Sequence, residues 1–235
     1  MSARRVRDIE YQLLRSEQRK TADIVIERNG LISVRAPAHL SEEQADAVVE
    51  HKRLWIYRNL AEWRDLNATR VVREWVNGEG FLYLGSSYRL LLVQGQDEPV
   101  KLKEGRFCLL RKIVENGGEE AAKRAFEKFY TEKGLERIKK RVAYFAPKVG
   151  VVPSSIEVKE IGFQWATCTS EGRLNFHWKC MMASPKVIDY IVVHELCHMR
   201  HRDHTDAFWN EVDKVMPDFS ERKAWLREHG AALDI

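Results

Sequence analysis

The pentapeptide His194-Glu195-Leu196-Cys197-His198 sits in an otherwise apolar run, and His204 follows ten positions after His194. No other stretch limits the chain so narrowly. On a helix, residues four apart share a face, so the imidazoles of His194 and His198 can reach one metal ion. Glu195 then lies beside that ion, placed to take a proton from a bound water rather than to act as a ligand. This spacing predicts a zinc-dependent hydrolase with Glu195 as general base. The neighbours Val187, Ile188, Ile191, Val192, Val193 and Leu196 make the helix apolar nearly all round. Such a helix is buried, which turns the two histidines and the glutamate into polar groups inside the fold. Buried polar groups need partners, and a metal with its water supplies them.

A catalytic zinc keeps three protein ligands and one open position. His201, His204, Glu211 and Glu221 are the candidates for the third. In a continuing helix His201 would lie ~10 Å along the axis from His194, too far to share an ion. A turn over Arg200 to Asp203 would instead swing His204 back. Its spacing equals that of the H-E-x-x-H-x-x-G-x-x-H enzymes, although His201 stands where that pattern has glycine. His204 is therefore the leading third ligand, with the carboxylates ahead of His201. Histidine ligation favours zinc, while nickel, cobalt or iron fits the same set. His177, in Asn175-Phe176-His177-Trp178, is either a donor to a catalytic oxyanion or an ordinary hydrogen-bonded histidine. His39, His51 and His229 read as exposed.

The rest of the chain sets outer limits. Its 235 residues, 44% hydrophobic and 31% charged, suit one large globular domain or two small ones. Charges break every apolar run well short of the ~20 residues that span a bilayer, and no apolar stretch follows the basic N-terminus as in a secretory signal. The expected compartment is the cytosol, with no membrane partner. Cys108, Cys168, Cys180 and Cys197 form no C-x-x-C pair, which argues against a disulfide framework or a zinc ribbon. The formal charge is +4. Basic runs at Arg4, Arg5, Arg7 and at Arg137 to Arg141 have acidic neighbours, so nucleic acid is a possible but disfavoured partner. The oligomeric state is not legible.

Periodicity suggests an α+β chain. Ala22 to Glu27 alternates, Asn29-Gly30 follows, and Leu31 to Val34 completes an antiparallel hairpin. Ser41 and Gln44 form a capping box opening a helix to about Leu66, with Val48, Val49, Trp55, Ile56, Leu60 and Trp63 as its buried stripe. Strands are expected at 81–84, 88–93, 100–103 and 107–110. Asn116-Gly117-Gly118 places a boundary between a β-rich domain, 1–116, and a second domain, 117–235. No internal repeat of the whole unit is evident. The second domain should hold a long helix from Glu119 stopped by Pro147, three strands between 156 and 176, and the motif helix opened by Ser184-Pro185. Two short helices follow, and Phe208-Trp209 should pack the first of them on the motif helix.

Trp165-Ala166-Thr167-Cys168, Asn175-Phe176-His177-Trp178, Ala183-Ser184-Pro185, the run Ile188 to His198, His204, Phe208-Trp209 and Pro217-Asp218-Phe219 together resemble the YgjP-like metallopeptidases, a group related to the SprT and WLM zinc peptidases. Arg19-Lys20-Thr21, Ala36-Pro37, Trp55-Ile56 and Tyr83-Leu84-Gly85 extend the likeness over most of the chain. The resemblance implies a compact zincin-like metallopeptidase domain, with the motif on a buried helix behind a small β-rich domain. It implies His194, His198 and His204 as ligands, Glu195 as base, and a peptide or protein substrate. It also implies an edge strand near Trp165 to Cys168 able to pair with an extended peptide, although Ala166 stands where relatives carry glycine. Two other readings remain at this stage: a metal-dependent hydrolase of nucleotides or other phosphates, and a non-catalytic zinc-bearing adaptor for nucleic acid or protein.

Overall fold

The computed structural model describes residues 2–17, 19, 21–26, 31–57, 60, 73–162 and 164–235. The chain forms two compact units, 1–69 and 70–235. Among the described residues no helix is long and apolar enough to cross a membrane.

The first unit is a four-stranded sheet under a helix. Its strands are β1 (Ser2–Val6), β2 (Ile9–Ser16), β3 (Asp23–Ile26) and β4 (Ile32–Pro37), in the order β1-β2-β4-β3. In β2 the buried Ile9, Tyr11 and Leu13 alternate with the exposed Glu10 and Gln12. This is the period-two pattern of a half-buried strand. β3 and β4 form the expected antiparallel pair, and their Asn29-Gly30 turn lies outside the described residues. Helix α1 (Glu42–His51) opens on the expected capping box, with Gln44 N–H donating to Ser41 Oγ and Ser41 N–H to Gln44 Oε1. It pauses at Lys52 and the chain is helical again over 53–57. That pause shifts the stripe: Ala45, Val49 and Ile56 are buried, whereas Trp55, expected in the stripe, is 45% exposed. Trp63 and Leu66 lie outside the described residues. The basic N-terminal run is largely neutralised within the unit, since Arg4 pairs with Glu42 and Asp46 and Arg7 with Glu50.

The second unit begins with β5 (Gly80–Tyr83), β6 (Ser86–Val93), β7 (Val100–Lys103) and β8 (Arg106–Leu110), in the order β5-β6-β8-β7. Strand order and every pairing direction repeat those of the first sheet, antiparallel, parallel, antiparallel. The structure thus contains an internal repeat that the sequence reading did not detect. Helix α2 (Arg111–Val149) follows, broken at Gly118, whose φ of 58° and ψ of −157° are not helical. The Gly-Gly signal was therefore a kink and not a domain boundary. Phe81 and Phe107 from the sheet pack with Phe126, Phe129 and Tyr130 from α2, so strands 80–110 share the core of the chain that follows. Pro147 also does not stop α2. It sits in the last turn, where its missing N–H costs one bond to the Ala143 carbonyl, and Gly150 ends the helix in the left-handed conformation.

A three-stranded sheet then forms from β9 (Ser155–Lys159), β10 (Ala166–Cys168) and β11 (Arg173–His177), with β10 at one edge. After a 3-10 turn (Trp178–Met182) come the motif helix α3 (Pro185–His198), α4 (Asp206–Val215) and α5 (Phe219–His229). α3 packs against α2, and a bidentate pair from Arg141 to Asp189, at 2.6 and 2.8 Å, fixes the two helices together. The start of α3 is held from the other side by the β5–β6 turn. Leu84 and Gly85 both have positive φ, 53° and 80°, and donate their N–H groups to the carbonyls of Met181 and Met182. A Cβ on Gly85 would stand 2.9 Å from the Cα of Ser184, the residue before α3. Gly85→Ala should therefore cost about 2–3 kcal/mol in urea unfolding, from the strained φ plus the backbone clash. Gly95→Ala, at a φ of 72° but with nothing within 4 Å, should cost about 1 kcal/mol.

Candidate metal centre

Burial of α3 creates the site. Val187, Ile188, Ile191, Val192, Val193 and Leu196 are all buried, as the pattern predicted, and carry the helix into the core. His194 and His198 lie one turn apart, with Nε2 atoms 3.1 Å from each other. The helix ends at His198, the chain reverses through residues 199–205, and His204 returns with its Nε2 3.0 Å from that of His194. The three ligand atoms all lie within 4.8 Å of one another.

This cluster fits a cation. On a tetrahedral zinc with bonds of about 2.0–2.1 Å, ligand nitrogens stand roughly 3.3 Å apart. His198 Nδ1 lies 3.1 Å from the His201 carbonyl. A carbonyl only accepts, so the proton is on Nδ1 and the Nε2 lone pair points at the cluster. Among the described residues His194 Nδ1 is buried with no hydrogen-bond partner, so a group bound at Nε2 would compensate the burial of that ring. The rings are also uncharged. Burial first, then the neighbouring histidines and Lys223, push His194 down to about 3. Burial likewise lowers His198 and His204. Converging lone pairs on neutral imidazoles form the donor set that zinc and similar ions take.

Around them, Phe208 is fully buried with its ring 4.6–5.0 Å from all three imidazoles. Trp209 stacks on His204 at 5.5 Å. The Phe208-Trp209 pair thus packs α4 on the motif helix as expected. Glu195 is only 6% exposed, and desolvation pushes its carboxyl up to about 8. A nearby cation would work in the opposite direction, stabilising the carboxylate.

Other sequence candidates are placed elsewhere. His201 offers the cluster its carbonyl and not its ring. Glu211 pairs with Arg200 at 2.9 Å and Lys214 at 3.3 Å, and Glu221 is exposed in the first turn of α5. His177 is fully buried between Trp165 and Trp178. Its Nδ1 accepts from Lys179 N–H at 3.0 Å, so Nε2 carries the proton and gives it to Glu160 at 2.8 Å. Both ring nitrogens are thus engaged, which matches the hydrogen-bonded reading of His177 among the two that its sequence position offered. Cys197 is buried and pushed up to about 12 by desolvation, as an inert core thiol should be. Two neighbours escaped the sequence reading. Tyr190, one turn before His194, has its ring 5.8 Å from that imidazole, and the i, i+4 rule could have found it. Lys223 bears electrostatically on His194 and His204 from α5.

The family model described as YgjP-like, metallopeptidase domain, matches residues 20–229. The chain belongs to this family. Membership makes it a metallopeptidase by family, implying a metal cofactor and a peptide or protein substrate. Comparison with curated proteins gives no match. Among solved structures, the metallopeptidase zymogen of Pyrococcus abyssi abylysin is similar over 37% of this chain and 89% of that one, at 19% identity and a TM-score of 0.35.

Added zinc should raise the melting temperature of this YgjP-like protein. At 100 times its Kd a ligand adds about 2.7 kcal/mol to stability. His204→Ala should lose most of that shift in a thermal melt. His201→Ala should keep it, because the backbone carbonyl remains.

Proposed function

We propose that this protein is a zinc-dependent peptidase on a compact zincin-like scaffold, with His194, His198 and His204 holding the ion and Glu195 as general base. One observation carries the reading: three neutral imidazoles bring their Nε2 atoms together, and the residue that follows His194 on the helix is the buried Glu195. Zinc bound there would act as a Lewis acid and bring the pKa of its water towards ~7. The Glu195 carboxylate would be the general base, taking and holding the proton of the attacking water. It then returns the proton to the amine nitrogen as the C–N bond breaks. His198 is held in its ligating tautomer by the His201 carbonyl. Phe208 excludes water from the inner side of the cluster and fixes the three rings.

The substrate backbone has a natural place to lie. β10 is an edge strand that packs against α3, so its free side can add one extended strand. Ala166, standing where relatives carry glycine, does not oppose this. Side chains leave a strand perpendicular to the sheet, out of the pairing direction.

Glu195→Gln separates base from ligands. The mutant should bind zinc with unchanged stoichiometry and lose peptide hydrolysis by at least roughly 100-fold, the lower end of general-base contributions. A panel of unstructured proteins and peptide libraries, assayed beside nucleoside triphosphates, is the check. Undiminished cleavage by the mutant would sink the mechanism, and hydrolysis confined to the triphosphates would sink the substrate class.

A further inference from the structure

One cation near the three histidines has no part in the chemistry above. Lys223 follows Phe219 by four residues on α5, so the two side chains share a helix face. That face lies on Trp209. Phe219 stacks on the indole at 5.4 Å and 16°, and Lys223 Nζ sits 3.8 Å from the ring centroid. The indole also stacks on His204 at 5.5 Å and 21° and lies against Phe208 and His194. The ammonium is thus one aromatic ring away from the histidine cluster, and its charge reaches both His204 and the more buried His194.

Lys223 differs from the cation next to it. Arg222 is held inside the fold by Asp218 at 2.7 Å and the carbonyl of Lys186 at 3.0 Å. Lys223 is exposed, and among the described residues it has a π-face and no carboxylate as partner. Asp203 bears on His198 and His204, and among the described residues it forms no ion pair with Lys223. A positive charge is therefore left uncompensated on the Trp209 side of the cluster. The ring also restrains the flexible lysine stem, which lowers the entropy lost when the ammonium pairs.

We infer that Lys223 is a specificity residue that binds a carboxylate of the substrate near the scissile bond, supplied by an acidic side chain or by the C-terminus of a short peptide. This rests on the peptidase reading. If the lysine stem merely covered Trp209, its loss would lower stability and leave charge selectivity unchanged.

The test measures binding apart from turnover. Calorimetry on zinc-loaded Glu195→Gln protein would compare two hexapeptides of one sequence, bearing Glu or Gln beside the central bond, each as C-terminal acid and amide. A charged form should bind roughly three- to tenfold more tightly at low salt, the range of one partly screened ion pair. The acid–amide comparison tells a terminal carboxylate from a side chain. Lys223→Gln should remove the advantage without weakening the neutral peptide, and Lys223→Glu should transfer it to a Lys-bearing peptide. Lys140→Gln, an exposed site on α2, should change nothing. Equal affinity for all forms, absence of binding included, or an advantage that survives Lys223→Glu would overturn the inference. Charge-dependent binding with no cleavage by the wild type would retire the peptidase reading and the specificity role with it, leaving only carboxylate binding by Lys223. Cleavage indifferent to charge would overturn this inference and leave the peptidase reading standing.

Discussion

Three imidazoles pressed together, two of them half-buried and His204 at the surface, are tolerable only while they stay uncharged, and the surrounding structure serves that condition. Nε2 atoms at 3.0 and 3.1 Å from that of His194 would be opposed donors if the rings were protonated. Desolvation prevents this, lowering all three pKa values. The desolvation comes from α3, whose apolar faces are covered by α2, α4, α5 and the β9–β11 sheet. Its ends are fixed by polar contacts. The β5–β6 turn docks at the residues before Pro185, and the reversal after His198 puts a carbonyl on the outer nitrogen of that ring. Burial makes the ligands neutral, the backbone orients them, and the same burial leaves a carboxyl beside them able to hold a proton.

Most of this centre was legible from spacing. His194 and His198 come from helical periodicity, and His204 from the argument that a straight helix cannot deliver a third ligand whereas a turn can. Burial followed from the apolar residues around the motif. What spacing could not supply was contact between segments far apart in the chain. His177 could be read equally as an oxyanion donor or as an ordinary hydrogen-bonded histidine. Its ring accepts from the Lys179 N–H, a local cap, and pairs with Glu160, a contact that no local pattern encodes. Lys223 was invisible for the same reason, since its position depends on α5 folding back across Trp209.

The fold was read less evenly. Strands β5 to β8 fell close to their expected places because apolar and turn residues alternate cleanly there. β1 and β2 were missed, although Ile9, Tyr11 and Leu13 alternate with Glu10 and Gln12. The dense arginines drew the reading towards a charged surface. They do lie on a surface, but one made of strands whose other face is buried. Gly117-Gly118 and Pro147 were given too much force as breakers. A 39-residue helix with a packed stripe can absorb one kinked glycine and one proline in its last turn, because tertiary burial outweighs a cost of about 1–3 kcal/mol per breaker.

The repeated sheet shows how one local solution can serve two ends. Each copy pairs its strands antiparallel, parallel and antiparallel, and each is followed by a helix. Arg7 and Leu84 even share a positive φ, 54° and 53°, at the first hairpin turn. Echoes exist in sequence, as in Tyr11-Gln12-Leu13-Leu14 and Tyr88-Arg89-Leu90-Leu91, but too few residues match for periodicity to reveal the copy. Backbone pairing and an alternating apolar face suffice to specify such a sheet, so its other residues are free to diverge. They have diverged at the turn that matters. In the second copy Gly85 follows Leu84 and lets the turn approach Ser184 at van der Waals distance. In the first copy Asp8 holds the corresponding place and bonds instead to Tyr57 within its own unit. A glycine in place of an acid is what lets the second sheet buttress the helix that carries the histidines.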